Sequence, residues 1–431
     1  MNSKLENLYF YIATILILSF YLLGFYIREI SNGAGHTDLQ LHIWLLVNDF
    51  EKDLSNTFKN YLSYKEATFP FFHLFQALVN PFKNKVIYYC LSNTIFNLLI
   101  LFVFYYFLKK KEIFKPNENN LLILTVLIVL LSPWFRSSSY WGMTENFSLF
   151  FLIPSLFYFS KICESKIESK LNIILTISIC LTIYSRQQYI FLPIAHLLIL
   201  IIDKDFEKLV QSILIYFVFS IPGLAAYNVW GVFEDINNAT SASSYISLKN
   251  IFYNIPKIST LFLFYLIPIL ILNYRRILDI FFSKKFLIIF SVIFVIEYFL
   301  FREISYPAMG GGYIIKFNKI FFNNNMIFIL LLSSIFFSLL VIFRKSFNFK
   351  YYLLFILIFI IIGLPEYLFQ EWFDPVYIFV YFLLLPKSMI VSNNLNKEKS
   401  IYFLLVWELS ILIIAISYYH FYLNLPFFYN F

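Results

Sequence analysis

Charged side chains are scarce in this sequence. Only 13% of the 431 residues are charged, whereas 60% are hydrophobic and 22% are aromatic. A soluble protein of this size cannot bury so much apolar surface, so much of the chain must face lipid. Apolar stretches of roughly 15 to 23 residues recur from end to end, long enough to cross the hydrocarbon layer as helices. The composition therefore predicts an all-α, polytopic transmembrane helical bundle.

Cysteine is also rare, and the sequence shows no sign of processing or of modular construction. Cys90, Cys163 and Cys180 lie in or beside apolar stretches, and their spacing fits neither a metal site nor a disulfide framework. The first apolar stretch, 8–26, is too long for a signal peptide and no small-x-small cleavage site follows it, so we expect a retained helix. We find no fixed-period repeat and no linker. The sequence therefore predicts one membrane domain, 1–431.

The net charge of +8 reflects membrane topology and does not indicate a nucleic-acid partner. Lysine and arginine concentrate in alternate short loops, which places those loops and the N-terminus in the cytoplasm. About 13 apolar stretches, and thus about 11–13 helices, separate the two sets of loops. The loops of the outer set are 28–85, 132–146, 185–188, 228–257, 302–325 and 365–375. Unusual polar residues collect in this outer set, as an active site on the non-cytoplasmic face would require.

The first outer loop, 28–85, contains two histidines and an acid within the segment 35–42. The apolar pattern from Leu39 to Leu46 predicts a short amphipathic helix at the membrane interface. On such a helix Asp38 and His42 are i,i+4 neighbours. A carboxylate beside a histidine can take the proton of an attacking hydroxyl, so Asp38 is our candidate catalytic base. The alternative is a solvated acid that caps the helix.

The next two outer loops combine aromatic and charged residues. Trp134 and Trp141 could form a surface for a sugar or a lipid headgroup, or could belong to an ordinary interfacial aromatic belt. Glu145 could bind sugar hydroxyls, or could simply favour the N-terminus of the following helix. Arg186 lies between two apolar stretches with almost no loop, where an arginine needs an anion or a carboxylate. A lipid phosphate would suit its guanidinium, and the alternative is an arginine that reaches to the surface.

Two later outer loops carry weaker signals. The run Gly310-Gly311-Gly312, followed by Lys316 and Lys319, would let the backbone approach a ligand closely. It lacks the P-loop pattern, so no nucleotide site is predicted, and a flexible connection is the alternative. The segment 366–375, which ends in Asp374-Pro375, is an acidic and aromatic connection that could equally be a plain loop.

The order of these motifs resembles that of a known family of membrane enzymes. Six short blocks match the family's motifs in order: Asp38-Leu39-Gln40-Leu41-His42, Ala67-Thr68-Phe69-Pro70, Gly142-Met143-Thr144-Glu145, Arg186-Gln187-Gln188-Tyr189, Gly310-Gly311-Gly312 and Asp374-Pro375-Val376-Tyr377. The family is that of the eukaryotic α-1,2-glucosyltransferases, which use dolichyl-phosphate-glucose to add the terminal glucose to the lipid-linked oligosaccharide of N-glycosylation. The blocks cover roughly residues 35 to 385. The resemblance implies a GT-C-like bundle with interfacial helices in the first outer loop.

The chain also departs from the family's pattern. The second acid of the family's first motif is Leu39 here, and the arginine of its last motif is Val376. The acid and the histidine that follow the family's glycine loop are replaced by a stretch that contains Lys316 and Lys319. The broader class, a transferase that uses a polyprenyl-phosphate sugar, tolerates these changes. The donor sugar and the acceptor stay open.

The resemblance implies inverting transfer of a hexose, glucose in the family, from a polyprenyl- or dolichyl-phosphate sugar to a lipid-linked glycan acceptor. Asp38 would be the catalytic base, and His42 would orient or share its proton. The other predicted site residues are Arg186, Arg302 and Lys316 for the donor phosphate, and Gln187, Glu145, Trp134, Trp141, Gly311 and Asp374 for the substrate. We expect no metal, because a monophosphate leaves and the outer loops show no ligand cluster, and no cofactor. The membrane would be the endoplasmic reticulum of a eukaryote or the inner membrane of a bacterium.

Two other functions are compatible with the sequence. A polysaccharide polymerase or glycan ligase would use a lipid-diphosphate donor, but such enzymes usually carry one very large outer loop late in the chain. A lipid or solute transporter without enzymatic activity would need functional polar residues inside its spans. Only Glu297 and Glu408 lie clearly within apolar runs, which favours the transferase.

Overall fold

The structure, a computed structural model, describes residues 3–31, 35–64, 69–230, 248–272, 274–302, 312–323, 325–343, 348–365, 373–385 and 397–423. Within these ranges the regular secondary structure is helical and contains no β-strand. The prediction of an all-α polytopic bundle is therefore confirmed. The chain divides into two compact units, which we describe separately.

Unit 1 comprises Met1–Ser244, Asp374–Val391 and Leu404–Phe431, and unit 2 comprises Tyr245–Phe373 and Ser392–Phe403. The helices of unit 1 are α1 (Ser3–Ile27), α2 (Gly35–Asp38), α3 (Trp44–Lys52), α4 (Leu54–Lys59), α5 (Phe71–Val79), α6 (Val86–Lys110), α7 (Asn119–Ile128), α8 (Pro133–Tyr140), α9 (Thr144–Glu164), α10 (Ser169–Ser185), α11 (Phe191–Ile202) and α12 (Phe206–Val229). The helices of unit 2 are α13 (Leu248–Leu272), α14 (Tyr274–Phe281), α15 (Lys284–Phe301), α16 (Gly312–Phe321), α17 (Met326–Ile342) and α18 (Phe349–Gly363). Helix α19 (Val376–Phe379) returns to unit 1, and α20 (Lys397–Ile416) contributes to both units. The single domain predicted for 1–431 stays a prediction.

Six described helices are long and apolar enough to cross a membrane. They lie in α1, α6, α9, α12, α13 and α20, and α10, α11, α17 and α18 are shorter apolar helices. The chain is therefore an integral, multi-pass membrane protein. In α9, 78% of the most apolar window is buried inside the protein, compared with 11% in α12. Helix α9 is thus a central helix of unit 1, whereas α12 exposes most of its surface, as expected for a helix that faces lipid.

The core of unit 1 is rich in aromatic contacts around α9. The ring of Phe147 lies 5.1 to 5.6 Å, centroid to centroid, from the rings of Phe71, Phe72 and Phe75 of α5 and Phe151 of α9. Such tilted and edge-on pairs bury large apolar areas at favourable geometry. The short apolar helix α5 thereby packs on α9 near its first turn.

Helices α10 and α11 are separate, as the sequence suggested. Helix α10 ends at Ser185, and a 3-10 turn, Gln187–Ile190, leads into α11. Farther from this break, a polar network joins these helices to α12. His196 contacts Asn172 through Nε2 (3.0 Å) and Tyr216 through Nδ1 (2.9 Å), and the Asn172 amide donates to Ser212 (2.9 Å). Hydrogen bonds of this kind link helices whose surroundings are otherwise apolar.

One lysine of the predicted basic loops, Lys111, which follows Lys109 and Lys110, is buried in unit 1. Lys111 is only 9% exposed, and its ammonium donates to the carbonyls of Leu383 (2.6 Å) and Leu385 (2.5 Å). Burial lowers the pKa of Lys111 to about 8. This lysine therefore satisfies carbonyls at the end of the π-helix Val380–Leu384, although the charge pattern alone places it with Lys109 and Lys110 in a basic loop.

Unit 2 is built around α13, α15, α17 and α18. Its buried apolar cluster consists of Leu263, Phe286, Phe336 and Leu339. The amide of Asn254 in α13 donates to the carbonyls of Gly363 (3.0 Å) and Pro365 (2.6 Å), where α18 ends. This contact satisfies carbonyls that a helix end leaves without an intrahelical partner.

Candidate functional site

The first outer loop is helical from Gly35 to Lys52, and the short helix predicted for Leu39 to Leu46 lies within this segment. Helix α2 continues into a π-helix, Leu39–Ile43, and then into α3. Gly35, Leu39, Ile43 and Leu46 are buried and define the inner face. Leu45, which belongs to the predicted apolar pattern, is instead 45% exposed. Burial of one face fixes the orientation of this segment, and with it the position of Asp38.

Asp38 is the last residue of α2 and is partly buried, and His42 lies within the π-helix. The predicted i,i+4 relation assumed α-helical geometry. The backbone here instead makes i→i+5 hydrogen bonds, which widen the turn, and single π turns of this kind occur frequently at functional sites. The geometry leaves Asp38 accessible at the start of the wide turn.

A tight contact joins the first outer loop to the second. The rings of His36 and Trp141 meet edge to face, with centroids 5.3 Å apart. A Cβ at Gly35 would lie 2.5 Å from Cδ1 of Trp141, so only glycine allows this approach. The Trp141 indole also donates to the carbonyl of Glu29 at 3.0 Å. Two segments that lie about a hundred residues apart are therefore held together beside Asp38.

The tryptophans of the second outer loop are buried. Trp134 is 5% exposed and Trp141 is 1% exposed, so neither ring forms the exposed surface or interfacial belt that the sequence analysis considered. The reason is a bend of 67° between the helical stretch ending at Leu131 and α8, which turns α8 into the protein. Ser132 caps α8 by accepting a hydrogen bond from Phe135 N (3.1 Å). Both tryptophans are therefore part of the protein interior, and their predicted role in binding substrate stays a prediction.

A buried ion pair in the same region was not predicted. Arg136 of α8 and Glu29 are each 1% exposed, and Nη2 of Arg136 lies 2.7 Å from Oε2 of Glu29. The same nitrogen donates to the carbonyl of Phe20 (2.7 Å) in α1. The approach depends on Gly24, because a Cβ there would lie 2.1 Å from Nη2. The sequence signal for this ion pair was Arg136, a charged residue in a segment that is buried in the structure. Its partner Glu29 lies 107 residues away, so the pairing could not be identified from the sequence.

Two predicted site residues from different loops contact each other. The guanidinium of Arg186 lies 3.1 Å from the carboxylate of Glu145, and their side chains are 11% and 14% exposed. Ser138 donates to the other oxygen of Glu145 at 3.4 Å. An arginine at this depth requires an anionic partner, and here that partner is the carboxylate of Glu145. Both side chains are partly exposed, so the pair is within reach of a ligand. Gln187, the next residue, is half-buried and begins the 3-10 turn.

Asp374 is fully buried, 0% exposed, just before α19. Burial raises the pKa of its carboxyl to about 7, against a smaller opposing effect of the Ser132 hydroxyl. Three residues later, the Tyr377 hydroxyl donates to the carboxyl group of Glu408 in α20. Glu408 is also 0% exposed. Asp374 thus belongs to the interior of unit 1, and its predicted contact with substrate stays a prediction.

The remaining predicted residues belong to unit 2. Arg302 is exposed at the C-terminus of α15, with its guanidinium 5.9 Å from the ring centroids of Tyr298 and Phe299. Lys316 is partly buried on α16, and burial lowers its pKa to about 8. Gly311 lies outside the described residues. Its neighbour Gly312 begins α16 with φ of 70°, a conformation that favours glycine.

Contacts among the outer loops converge on one region of unit 1. Besides the pairs Gly35–Trp141 and Glu145–Arg186, Tyr89 donates to the carbonyl of Gly142 at 3.0 Å. The ring of Phe69 lies 5.0 Å from that of Tyr184, just before the α10–α11 break. Five of the six sequence blocks have described residues in this unit. The blocks that contain Glu145 and Arg186 contact each other, and Gly35 and His36, which precede the block with Asp38, pack on Trp141.

No protein-family model, curated protein or solved structure matches this chain. The resemblance to the dolichyl-phosphate-glucose-dependent family therefore depends on the short motifs alone. The helical and multi-pass character depends on the structure itself. Function must be inferred from the residues that the fold brings together.

Proposed function

We propose that this chain is a membrane glycosyltransferase that transfers a hexose from a polyprenyl-phosphate sugar to a lipid-linked glycan acceptor. The observation that supports the proposal is the 3.1 Å contact between Arg186 and Glu145, together with the packing of Gly35 and His36, just before Asp38, on Trp141. Three sequence blocks of unit 1 contain Asp38, Glu145 and Arg186. Each supplies one of the groups that this reaction needs: a base, a hydrogen-bonding acid and a phosphate-binding cation.

Asp38 acts as the general base in this mechanism. It accepts the proton of the acceptor hydroxyl while that oxygen attacks the anomeric carbon of the donor sugar. The new C–O bond forms as the bond between the anomeric carbon and the phosphate oxygen breaks, and the configuration inverts. His42 is the nearby group along the chain that can orient the acid or share the proton. The lipid monophosphate leaves with the bonding electron pair, and no metal or cofactor takes part.

Arg186 binds the phosphate of the donor and stabilises the charge that develops as it leaves. Its pairing with Glu145 holds the guanidinium in position without ligand, and the planar donors of arginine match a phosphate. A bound donor would share Arg186 with Glu145, which could then accept hydrogen bonds from sugar hydroxyls. The proposal uses residues of unit 1 only, and roles for Arg302, Lys316 and Gly311 stay predictions.

The site would face the lumen or the periplasm. The basic loops are assigned to the cytoplasm by the positive-inside rule, and the loops with Asp38, Glu145 and Arg186 form the other set. The compartment would be the endoplasmic reticulum or a bacterial inner membrane. This orientation is testable independently of activity, by labelling single cysteines introduced at exposed Lys59 and exposed Lys166 with an impermeant reagent in sealed vesicles.

The decisive experiment uses the purified chain in detergent with radiolabelled polyprenyl-phosphate glucose and polyprenyl-phosphate mannose. We expect the wild type to release sugar from one donor, to acceptor or to water, and Asp38→Asn to reduce the rate by 10²-fold or more, a typical contribution of a general base. The matched control is Asp53→Asn, because Asp53 only caps α4 by accepting from Asn56 N and asparagine caps equally well.

Three outcomes would contradict the assignment. Equal turnover by wild type and Asp38→Asn would exclude Asp38 as the base. Consumption of a lipid-diphosphate glycan with both monophosphate donors intact would favour the polymerase or ligase. Inactivity on every donor, together with uptake of a polyprenyl-phosphate lipid into vesicles, would favour a transporter, for which the buried acids Glu297 and Glu408 within apolar helices are the specific supporting observation.

A further inference from the structure

An acid lies in the apolar interior of unit 2, outside the site proposed above. Glu297 is on α15 and is 5% exposed. One carboxyl oxygen lies 2.5 Å from the hydroxyl of Ser333, and the other lies 2.6 Å from that of Ser334, both on α17. Among the described residues, no lysine, arginine or histidine pairs with Glu297. Its only polar neighbours there are neutral hydroxyl groups.

The hydroxyl groups continue as a chain to a third helix. The oxygen of Ser333 lies 2.7 Å from that of Ser259 on α13. The Ser259 hydroxyl donates to the carbonyl oxygen of Ile255 at 2.7 Å and also lies 3.0 Å from that of Pro256. The chain Ile255 O, Ser259, Ser333 and Glu297 therefore contains three short oxygen–oxygen contacts. Each requires one hydrogen, because two oxygens at this distance repel each other unless a hydrogen lies between them.

Counting hydrogens determines the protonation state of the acid. A serine hydroxyl supplies a single hydrogen, so Ser259 and Ser333 together supply two. The third hydrogen must come from the Glu297 carboxyl group itself. With Glu297 protonated on the oxygen that faces Ser333, its other oxygen accepts from Ser334, and every contact has its hydrogen. With Glu297 ionised, one of the three contacts would lack one.

The surroundings also favour the neutral form. An ionised carboxylate is costly in an apolar interior unless a cation compensates it. Helix α17 carries no ionisable side chain between Met326 and Ile342, and the buried Lys257 of α13 donates to Asn254 at 3.2 Å. The apolar cluster with Leu263 and Phe336 involves the same helices. Charge on Glu297 would therefore remain uncompensated where α13, α15 and α17 pack.

We propose that Glu297, Ser333 and Ser259 form a buried proton-binding site that holds α13, α15 and α17 together. The ligand is a single proton on the Glu297 carboxyl. The site does not depend on the glycosyltransferase proposal, because none of its residues takes part in that reaction. Loss of the proton would place a charge in a helix interface that lacks a countercharge. Binding of the proton therefore stabilises the packing of unit 2.

A protonated carboxyl in an apolar environment is also a site for modification by hydrophobic carbodiimides. The carboxyl O–H adds across one C=N bond of the reagent to give an O-acylisourea. Migration of the acyl group to nitrogen then yields a stable N-acylurea. Both steps retain every atom, and no other reactant is needed. Ionised carboxylates at the surface react slowly because the first step needs the acid proton.

The primary test is infrared spectroscopy on the full chain in detergent at neutral pH, with ¹³C-labelled glutamate to identify glutamic acid bands. We expect a protonated-carboxyl C=O band that is present in the wild type and absent in Glu297→Gln. We expect Ser333→Ala to keep the band but to shift its frequency, because the acid loses its acceptor. Ser333→Ala retains the acid, so the test holds even if Glu297→Gln does not fold. A wild-type spectrum identical to that of Glu297→Gln in this region would overturn the proposal.

Carbodiimide labelling adds a second readout by peptide mass spectrometry. We expect dicyclohexylcarbodiimide to label Glu297 before the exposed Glu112, and we expect Glu297→Gln to remove that adduct alone. Slower labelling of Glu297 as the pH is raised above neutral supports a proton site, because ionisation removes the acid proton. Protection by sodium ions at constant pH would overturn the proposal in favour of a metal-cation site with the same oxygen ligands.

Discussion

The two units bury carboxyl groups in different ways. In unit 1, Glu29 pairs with Arg136 at 2.7 Å, with both side chains 1% exposed. In the described part of unit 2, the polar contacts of the Glu297 carboxyl group are with the hydroxyls of Ser333 and Ser334. The first arrangement keeps two charges and neutralises them against each other, and the second removes the charge by a proton. An apolar interior permits either solution, but the cost of breaking them differs greatly.

The largest expected effect is the loss of one member of the ion pair. Arg136→Met leaves the Glu29 carboxylate buried without its cation and should reduce the free energy of unfolding by about 3–5 kcal/mol. The measurement is unfolding by SDS in mixed micelles, followed by circular dichroism. The double variant Arg136→Met with Glu29→Gln removes both charges and should recover most of the loss. If the double variant were as unstable as the sum of the two single variants, the comparison between the units would fail.

Asp374 tests whether unit 1 always neutralises its acids by pairing. It is 0% exposed and has no basic partner among the described residues, and its pKa is raised from 3.8 to about 7. The folded protein therefore holds this proton more tightly than the unfolded chain, so its contribution to stability is complete below pH 3.8 and is lost as the pH rises through about 7. The loss is on the order of a few kcal/mol, by the conversion of about 1.4 kcal/mol for each pKa unit.

The variant Asp374→Asn should lack this pH dependence. Stability measured from pH 4 to 8 should fall for the wild type relative to the variant, with the two curves separating most above the raised pKa. Glu168→Gln, a change at an exposed acid, serves as the control. Parallel curves for wild type and Asp374→Asn would show that the buried Asp374 carboxyl is not protonated near neutral pH.

A smaller effect is expected at the glycine that admits the ion pair. Gly24→Ala places a Cβ 2.1 Å from Nη2 of Arg136 and 2.7 Å from the hydroxyl of Tyr140, so the guanidinium must move. Overpacking of this kind costs about 1–3 kcal/mol. The matched control is Gly223→Ala in α12, where the nearest atom would be the Tyr184 hydroxyl at 3.4 Å. Equal melting temperatures for both variants would indicate that Arg136 accommodates the methyl group freely.

The smallest effect is expected in unit 2. Glu297→Gln replaces a neutral acid by a neutral amide of nearly the same shape, so the free energy of unfolding should change by less than about 1.5 kcal/mol. The same substitution at Glu29 removes the partner of Arg136 and should cost about 3–5 kcal/mol. Comparing Glu297→Gln with Glu29→Gln under identical conditions is the sharpest test of the difference between the units. Similar losses at both positions would indicate that Glu297 is charged.

Much of the local structure could be predicted from the sequence. The helical segment that follows Gly35 and the break at Arg186 both follow from short-range patterns of apolar and polar residues. Asp38 could be identified as a candidate because its segment is polar in an apolar chain. The π-helical geometry from Leu39 to Ile43 could not be predicted, because a single π turn produces no distinct periodicity of apolar residues.

Tertiary contacts set the limit of sequence analysis. Glu145 and Arg186 were each selected as site residues, but their pairing joins α9 to the α10–α11 break and needs the fold. Burial of Trp134 and Trp141 was missed because tryptophan suits both an interface and a core, and only the 67° bend before α8 decides between them. Lys111 was counted as a loop charge because the carbonyl of Leu383 that it binds lies 272 residues away.

Gly24 has a consequence for the evolution of this chain. A side chain at position 24 and the guanidinium at position 136 exclude each other, because a Cβ would lie within 2.8 Å of both members of the ion pair. Natural selection can therefore introduce alanine at position 24 readily only in a lineage that has already lost the arginine and the acid. In relatives of this protein, positions 24, 29 and 136 should be replaced together, so that the retention of glycine would mark the retention of the buried charges.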